Sequence, residues 1–156
     1  MTSARETMLA QLKTDLELIN GTSPYTNTVA LVSRDLMTPM LFVQQGALPG
    51  IAMVDKGDSI LMPASTNVRI FTLELMVLAY LVAQPGADAD TACNSIAADI
   101  VYAMTNPTIW AHPASGTDTA MGSEYTGMDV IAVEAEQIAG VAVHFKFIYR
   151  NTWTAP

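Results

Sequence analysis

GVAVHFKFIYR, residues 140 to 150, alternates strictly, with Val141, Val143, Phe145, Phe147 and Tyr149 on one side and Ala142, His144, Lys146, Ile148 and Arg150 on the other. Successive side chains of an extended chain point to opposite faces, so this spacing predicts a half-buried β-strand. In Val68 to Val82 the odd positions Phe71, Leu73, Leu75, Val77, Ala79 and Leu81 are also apolar, while Thr72 and Glu74 interrupt the even ones. The two runs predict the centre of one antiparallel sheet. The rest of the chain is expected to extend that sheet or cover its apolar face.

Two helices supply the cover. Ser3 and Glu6 form a capping box, and Met8, Leu9, Leu12, Leu16 and Ile19 share one helical stripe, which predicts an amphipathic helix from Ala4 to Asn20 with Gly21 as its left-handed stop. After the turn signal AQPGADAD, Asp88 or Asp90 caps a second helix, in which Cys93, Ile96, Ala97, Ile100 and Met104 keep helical spacing up to Asn106-Pro107. Cys93 reads as a small buried hydrophobe, and Asp99, on the opposite face, as solvated. The fold class expected is α+β: a single antiparallel sheet with two amphipathic helices packed on one face.

The remaining segments carry weaker signals. Thr28 to Ser33 reads as a strand, Arg34, Asp35 and Pro39 as a turn, and Met40 to Gln45 as a short strand closed by Gly46. Ile51 to Asn67 takes no clear assignment; within it Asp55-Lys56-Gly57-Asp58 reads as a solvated loop tip, because a cation loop needs further spaced oxygens. Residues 111–127 are rich in Gly, Ser and Thr and lack periodicity, which predicts either a flexible loop or a contact arm. Val130 to Glu136 alternates well enough to form a hairpin with the final strand, leaving 151–156 as a short tail.

Composition bounds the function. A chain of 156 residues suits a single domain, here 1–156, and its 51% hydrophobic and 14% charged content excludes a disordered chain while leaving apolar surface for another protein. Seven basic against fifteen acidic residues give a formal charge of -8, which repels a phosphate backbone and argues against a sequence-reading nucleic-acid binder. One cysteine forms no intrachain disulfide, and a polar opening stretch lacks the pattern of a secretory leader, so a reducing cytoplasm is the expected site of synthesis. Ile70 to Val82, the longest apolar run, is broken by Thr72 and Glu74 and falls short of the roughly 20 residues of a spanning helix, so no membrane association is expected. The triplet Asn20-Gly21-Thr22 matches a glycosylation pattern only by chance at a turn.

Motifs for chemistry are sparse. His112 and His144 stand in a loop and on a strand face, without partners at metal-ligand spacing. GxSxG, GxxxxGK[ST] and GxGxxG are absent, and Ser115, His112 and Asp118 make a triad only on paper, in a loop that preorganises nothing. No catalytic residue, cofactor or metal is therefore expected. Trp110, His112, Met121, Tyr125 and Trp153 are the candidate interface residues, with Tyr125 and Trp153 as partner anchors and Trp110, just beyond a helix, as either an anchor or a lid on the core.

The order of elements carries more. An N-terminal amphipathic helix, an expected strand opened by proline (Thr38-Pro39-Met40-Leu41-Phe42-Val43) and ended by Gly46, a long apolar strand, an acid-capped helix containing Ala98-Asp99-Ile100-Val101-Tyr102-Ala103-Met104, Trp110 soon after, and a last strand ending in Tyr149-Arg150 together resemble the tail-terminator proteins of long-tailed bacteriophages. The resemblance spans nearly the whole chain and rests on layout rather than on an invariant motif; head-completion proteins share much of the plan. It implies a small non-enzymatic virion subunit, assembled in the host cytoplasm, that forms a hexameric ring on the finished tail tube at the head-tail junction. Such a ring ends tube polymerisation and offers a surface to the head-completion or connector protein. DNA would pass through it without sequence-specific binding. The rival readings are a small hydrolase or lyase using 111–127 as a lid, and a ligand-binding α+β module.

Overall fold

The computed structural model describes residues 4–65, 68–82, 89–105, 120–133 and 137–152. They form, in chain order, α1 (Ala4–Glu17), β1 (Leu31–Ser33), α2 (Pro39–Gln44), β2 (Gly50–Ser65), β3 (Val68–Val82), α3 (Ala89–Thr105), β4 (Ala120–Val133) and β5 (Ile138–Thr152). One five-stranded sheet runs in the order β1-β2-β3-β5-β4. The expected central pair is present: β3 and β5 lie antiparallel in unbroken register from Val68↔Thr152 to Val82↔Ile138.

Alternation decides which side of this pair is dry. Leu73, Leu75, Val77 and Ala79 of β3 and Val141, Val143, Phe145 and Phe147 of β5 are buried in one cluster with Leu9, Leu12 and Leu16 of α1 and Cys93, Ile96 and Ile100 of α3. Both long helices thus cover the face that the odd positions define. Each fully buried side chain of this size contributes about 1.5–3 kcal/mol relative to exposure, so the cluster is the main source of stability.

Among the described residues, the opposite face is covered only at one end. There α2 inserts Phe42 against Leu78, Tyr80, Ala52 and Ala142, with the Phe42 and Tyr80 rings 5.8 Å apart. Gly50 makes this approach possible, since a Cβ at that position would stand 2.3 Å from the Phe42 ring.

Several expectations are corrected. Met40 to Gln45 belongs to a helix, not a strand: Thr38 accepts from the Leu41 N–H, Pro39 occupies the first turn, and Gly46 follows at a φ of +61°. Because α2 intervenes, β1 meets β2 by a crossover and lies parallel to it over Leu31↔Gly50 to Ser33↔Ala52, so the sheet is mixed rather than wholly antiparallel. The strand expected from Thr28 shrinks to these three residues, with an isolated bridge between Asn20 and Thr28. The first helix ends at Glu17 rather than Asn20, although Ile19 stays buried. The unassigned segment up to Ser65 belongs to β2 (Gly50–Ser65), which β1 flanks only at its start, and Asp55-Lys56-Gly57-Asp58 holds a bulge within it instead of a loop tip. Residues 120–127 of the expected flexible loop are part of β4, where they run along β5; 111–119 lie outside the described residues. Asp99 is buried instead of solvated, because the segment around Thr26 folds over that face of α3. Cys93 is buried as expected.

Candidate assembly surface

Four strands of 14 to 16 residues are long for a domain this size, and β1 accompanies β2 over only three of its residues. From Met53 onward β2 therefore presents an unpaired backbone edge among the described residues, and β4 presents another at the far side of the sheet.

The bulge in β2 is pinned from beneath. Lys56-Gly57 leave the ladder between Asp55↔Leu75 and Asp58↔Leu73, and Asp55 Oδ1 accepts the Gly57 N–H at 2.8 Å, with Gly57 at a φ of +96°. Arg5, on the first turn of α1, pairs with Asp55 and donates through Nε to Asp58 Oδ2 at 3.1 Å. The Tyr149 hydroxyl donates to the same Asp58 oxygen. Burial pushes the Tyr149 phenol well above its ordinary value, and the bond to Asp58 adds to the shift. The two carboxylates are thus engaged by a guanidinium and a phenol, and their work is to hold α1, β2 and β5 together at the kink.

Beyond the kink the strand carries Ile60, Leu61 and Met62, exposed at 54%, 50% and 51%. A bulge between Ile60 and Met62 breaks the alternation, so neither side of the strand hides these side chains. A second apolar group surrounds α2, where Leu36 is 70% exposed and Met40, Leu41 and Val43 face outward around the buried Phe42. On the face that α2 leaves bare the side chains are polar: Glu74 lies 3.9 Å from Lys146, and His144 Nε2 lies 3.0 Å from Asp129. A depression of about 380 Å³ opens among them.

Of the candidate interface residues, Tyr125 stands exposed on β4, its ring centroid 6.1 Å from that of Phe145 in an edge-on arrangement. Met121 belongs to β4 at the same edge. Trp110, His112 and Trp153 lie outside the described residues, so the structure brings together only Met121 and Tyr125, on one strand. The residues missed were Ile60, Leu61 and Met62; three consecutive large apolar side chains after a charged kink were their signal. Among the described residues no group of three or more His, Cys, Asp or Glu side chains is placed to hold a metal ion, and no helix is long and apolar enough to cross a membrane.

Fold and surface together define an α+β protein built on one mixed, mostly antiparallel sheet, whose two edges are open among the described residues, with exposed apolar side chains along one of them. No protein-family model and no curated protein matches this chain. Among solved structures it is similar to a chain of the virion of a native gene transfer agent particle, with 11% identity and a TM-score of 0.49, over 96% of this chain and 92% of that one.

Proposed function

We propose that this chain is a structural virion protein that assembles into a hexameric ring on the end of a phage-type tail tube, ends tube polymerisation and presents the surface to which the head-completion or connector protein binds. The observation that carries the reading is the open edge of β2 with Ile60, Leu61 and Met62 exposed along it. A long, apolar, unpaired edge in a lone subunit is an aggregation hazard, and covering it with protein removes the hazard. Its layout resembles that of tail terminators, and its charge of -8 fits a ring whose lumen lets DNA pass without gripping it.

Native mass spectrometry and negative-stain microscopy of the purified chain, alone and mixed with tail tubes, test the proposal. Six-membered rings seated on tube ends are expected. Rings that bind a connector but ignore tubes would assign the chain to head completion instead. A monomer that ignores tubes and turns over or retains a small molecule would overturn the structural reading in favour of a hydrolase or ligand-binding module.

A further inference from the structure

We infer that neighbouring copies of this chain join edge to edge, β2 of one copy lying antiparallel to β4 of the next, with Lys56 of one copy set against Glu124 of its neighbour. The inference rests on the reading of the chain as a self-assembling subunit and names the contact.

Direction comes first. β2 is antiparallel to β3, β3 to β5 and β5 to β4, so β4 runs opposite to β2 within one subunit. A copy placed beside the first in the same orientation therefore brings its β4 against β2 as an antiparallel neighbour, without turning the subunit over. This head-to-tail arrangement closes into a ring if the rotation per copy permits.

Charge sets the height. Glu74↔Lys146 and Glu124↔Lys146 are directly paired residues, and Lys56 lies in the bulge that opposes Glu74. Read across the sheet, the row is Lys56, Glu74, Lys146, Glu124, with signs alternating from edge to edge. Directly opposed residues share a face, and opposite charges there are favourable whereas like charges are not. Glu74 and Lys146 satisfy each other at 3.9 Å. Lys56 and Glu124, the two ends, are exposed and have no ion-pair partner among the described residues. A lateral copy at the same height puts the free anion against the free cation and continues the alternation across the junction.

The bulges mark where the junction begins. β1 flanks β2 only at Gly50–Ala52, and adds one strand width, about 4.8 Å, on that side. Both edges kink next to the charged row, β2 between Asp55 and Asp58 and β4 between Tyr125 and Gly127. These kinks let two edges part around β1 and meet below it, and they disfavour pairing with any straight strand.

The test uses the full chain. Lys56→Cys and Glu124→Cys are made in separate chains, mixed, assembled and oxidised; opposed strand residues lie about 4.5–5.5 Å apart between Cα atoms, within disulfide range. A cross-link in the mixture and in neither variant alone is expected. Lys56→Glu should raise the concentration of half-assembly by up to about fivefold, and adding Glu124→Lys to it, which restores the net charge of -8, should recover most of that loss. Assembly by the wild type with no cross-link, or with Lys56→Cys linking to itself, overturns the junction and leaves the structural reading standing. A wild type that stays monomeric at every concentration overturns both.

Discussion

Asp99 accepts the backbone N–H groups of Thr26 and Asn27 at 3.1 and 2.8 Å and the Asn27 side chain at 2.8 Å. It is 5% exposed, and it fastens the segment after α1 to the outer side of α3. Hydrogen bonds to a charged group contribute about 1.5–3 kcal/mol, so Asp99→Ala is expected to lower stability by at least that much in urea denaturation. Helical spacing assigns Asp99 to the face away from the sheet correctly. The segment that returns to cover that face, 73 residues earlier in the chain, leaves no periodic trace, so its burial was not legible. Phe145 and Leu75, each 1% exposed, were legible from alternation alone, and Phe145→Ala or Leu75→Ala should cost about 2–5 kcal/mol by the same measurement. Tyr149 adds a pH dependence. Its folded pKa is raised above the ordinary value of 10, so its contribution is intact below about pH 10 and is lost as pH rises from there through the folded value. The difference in thermal midpoint between wild type and Tyr149→Phe should hold at neutral pH and shrink above pH 10.

Among the elements, β3 and β5 were readable because fifteen paired positions keep their alternation without a break. β2 was not, since shifts at Asp55/Asp58, Ile60/Met62 and Pro63/Ser65 interrupt its period three times. α2 is six residues long, too short to show a helical period, and its apolar run mimics a strand; only the cap at Thr38 and Pro39 identifies it. The candidate surface was accordingly half visible: Met121 and Tyr125 lie on an open edge, and the opposing edge fell in the unassigned segment. Replacing Ile60, Leu61 and Met62 by serine together should separate assembly from folding. Exposed positions tolerate change within about 0.5 kcal/mol each, so thermal unfolding should move little while the assembled species disappears from sedimentation profiles. A triple variant that assembles as well as wild type would remove these side chains from the contact.

At the scale of the molecule, the proposed ring of six copies at -8 would bring together about -48 formal charges. An exposed ion pair such as Lys56 with a neighbour's Glu124 contributes about 0.2–1 kcal/mol, less than the summed repulsion that salt screens over a Debye length of about 8 Å. Salt also strengthens apolar burial where its ions are excluded from the surface. Sedimentation across a salt series should therefore show assembly favoured by salt and by magnesium; rings that form best in salt-free buffer would mean that charge pairs dominate. The strand order has a further consequence, in the timing of synthesis. β5 is the last of the five strands to be made, yet it lies between β3 and β4, and its pairing with β3 spans from Val68 to Thr152. Contacts so distant along the chain form late, after the entropy of closing a long loop has been overcome. On the ribosome, β4 has no native strand to join until β5 emerges, and the backbone edge of β3 that β5 will pair waits open. Until then the sheet is incomplete, and neither outer edge can meet a neighbour before its middle has been filled.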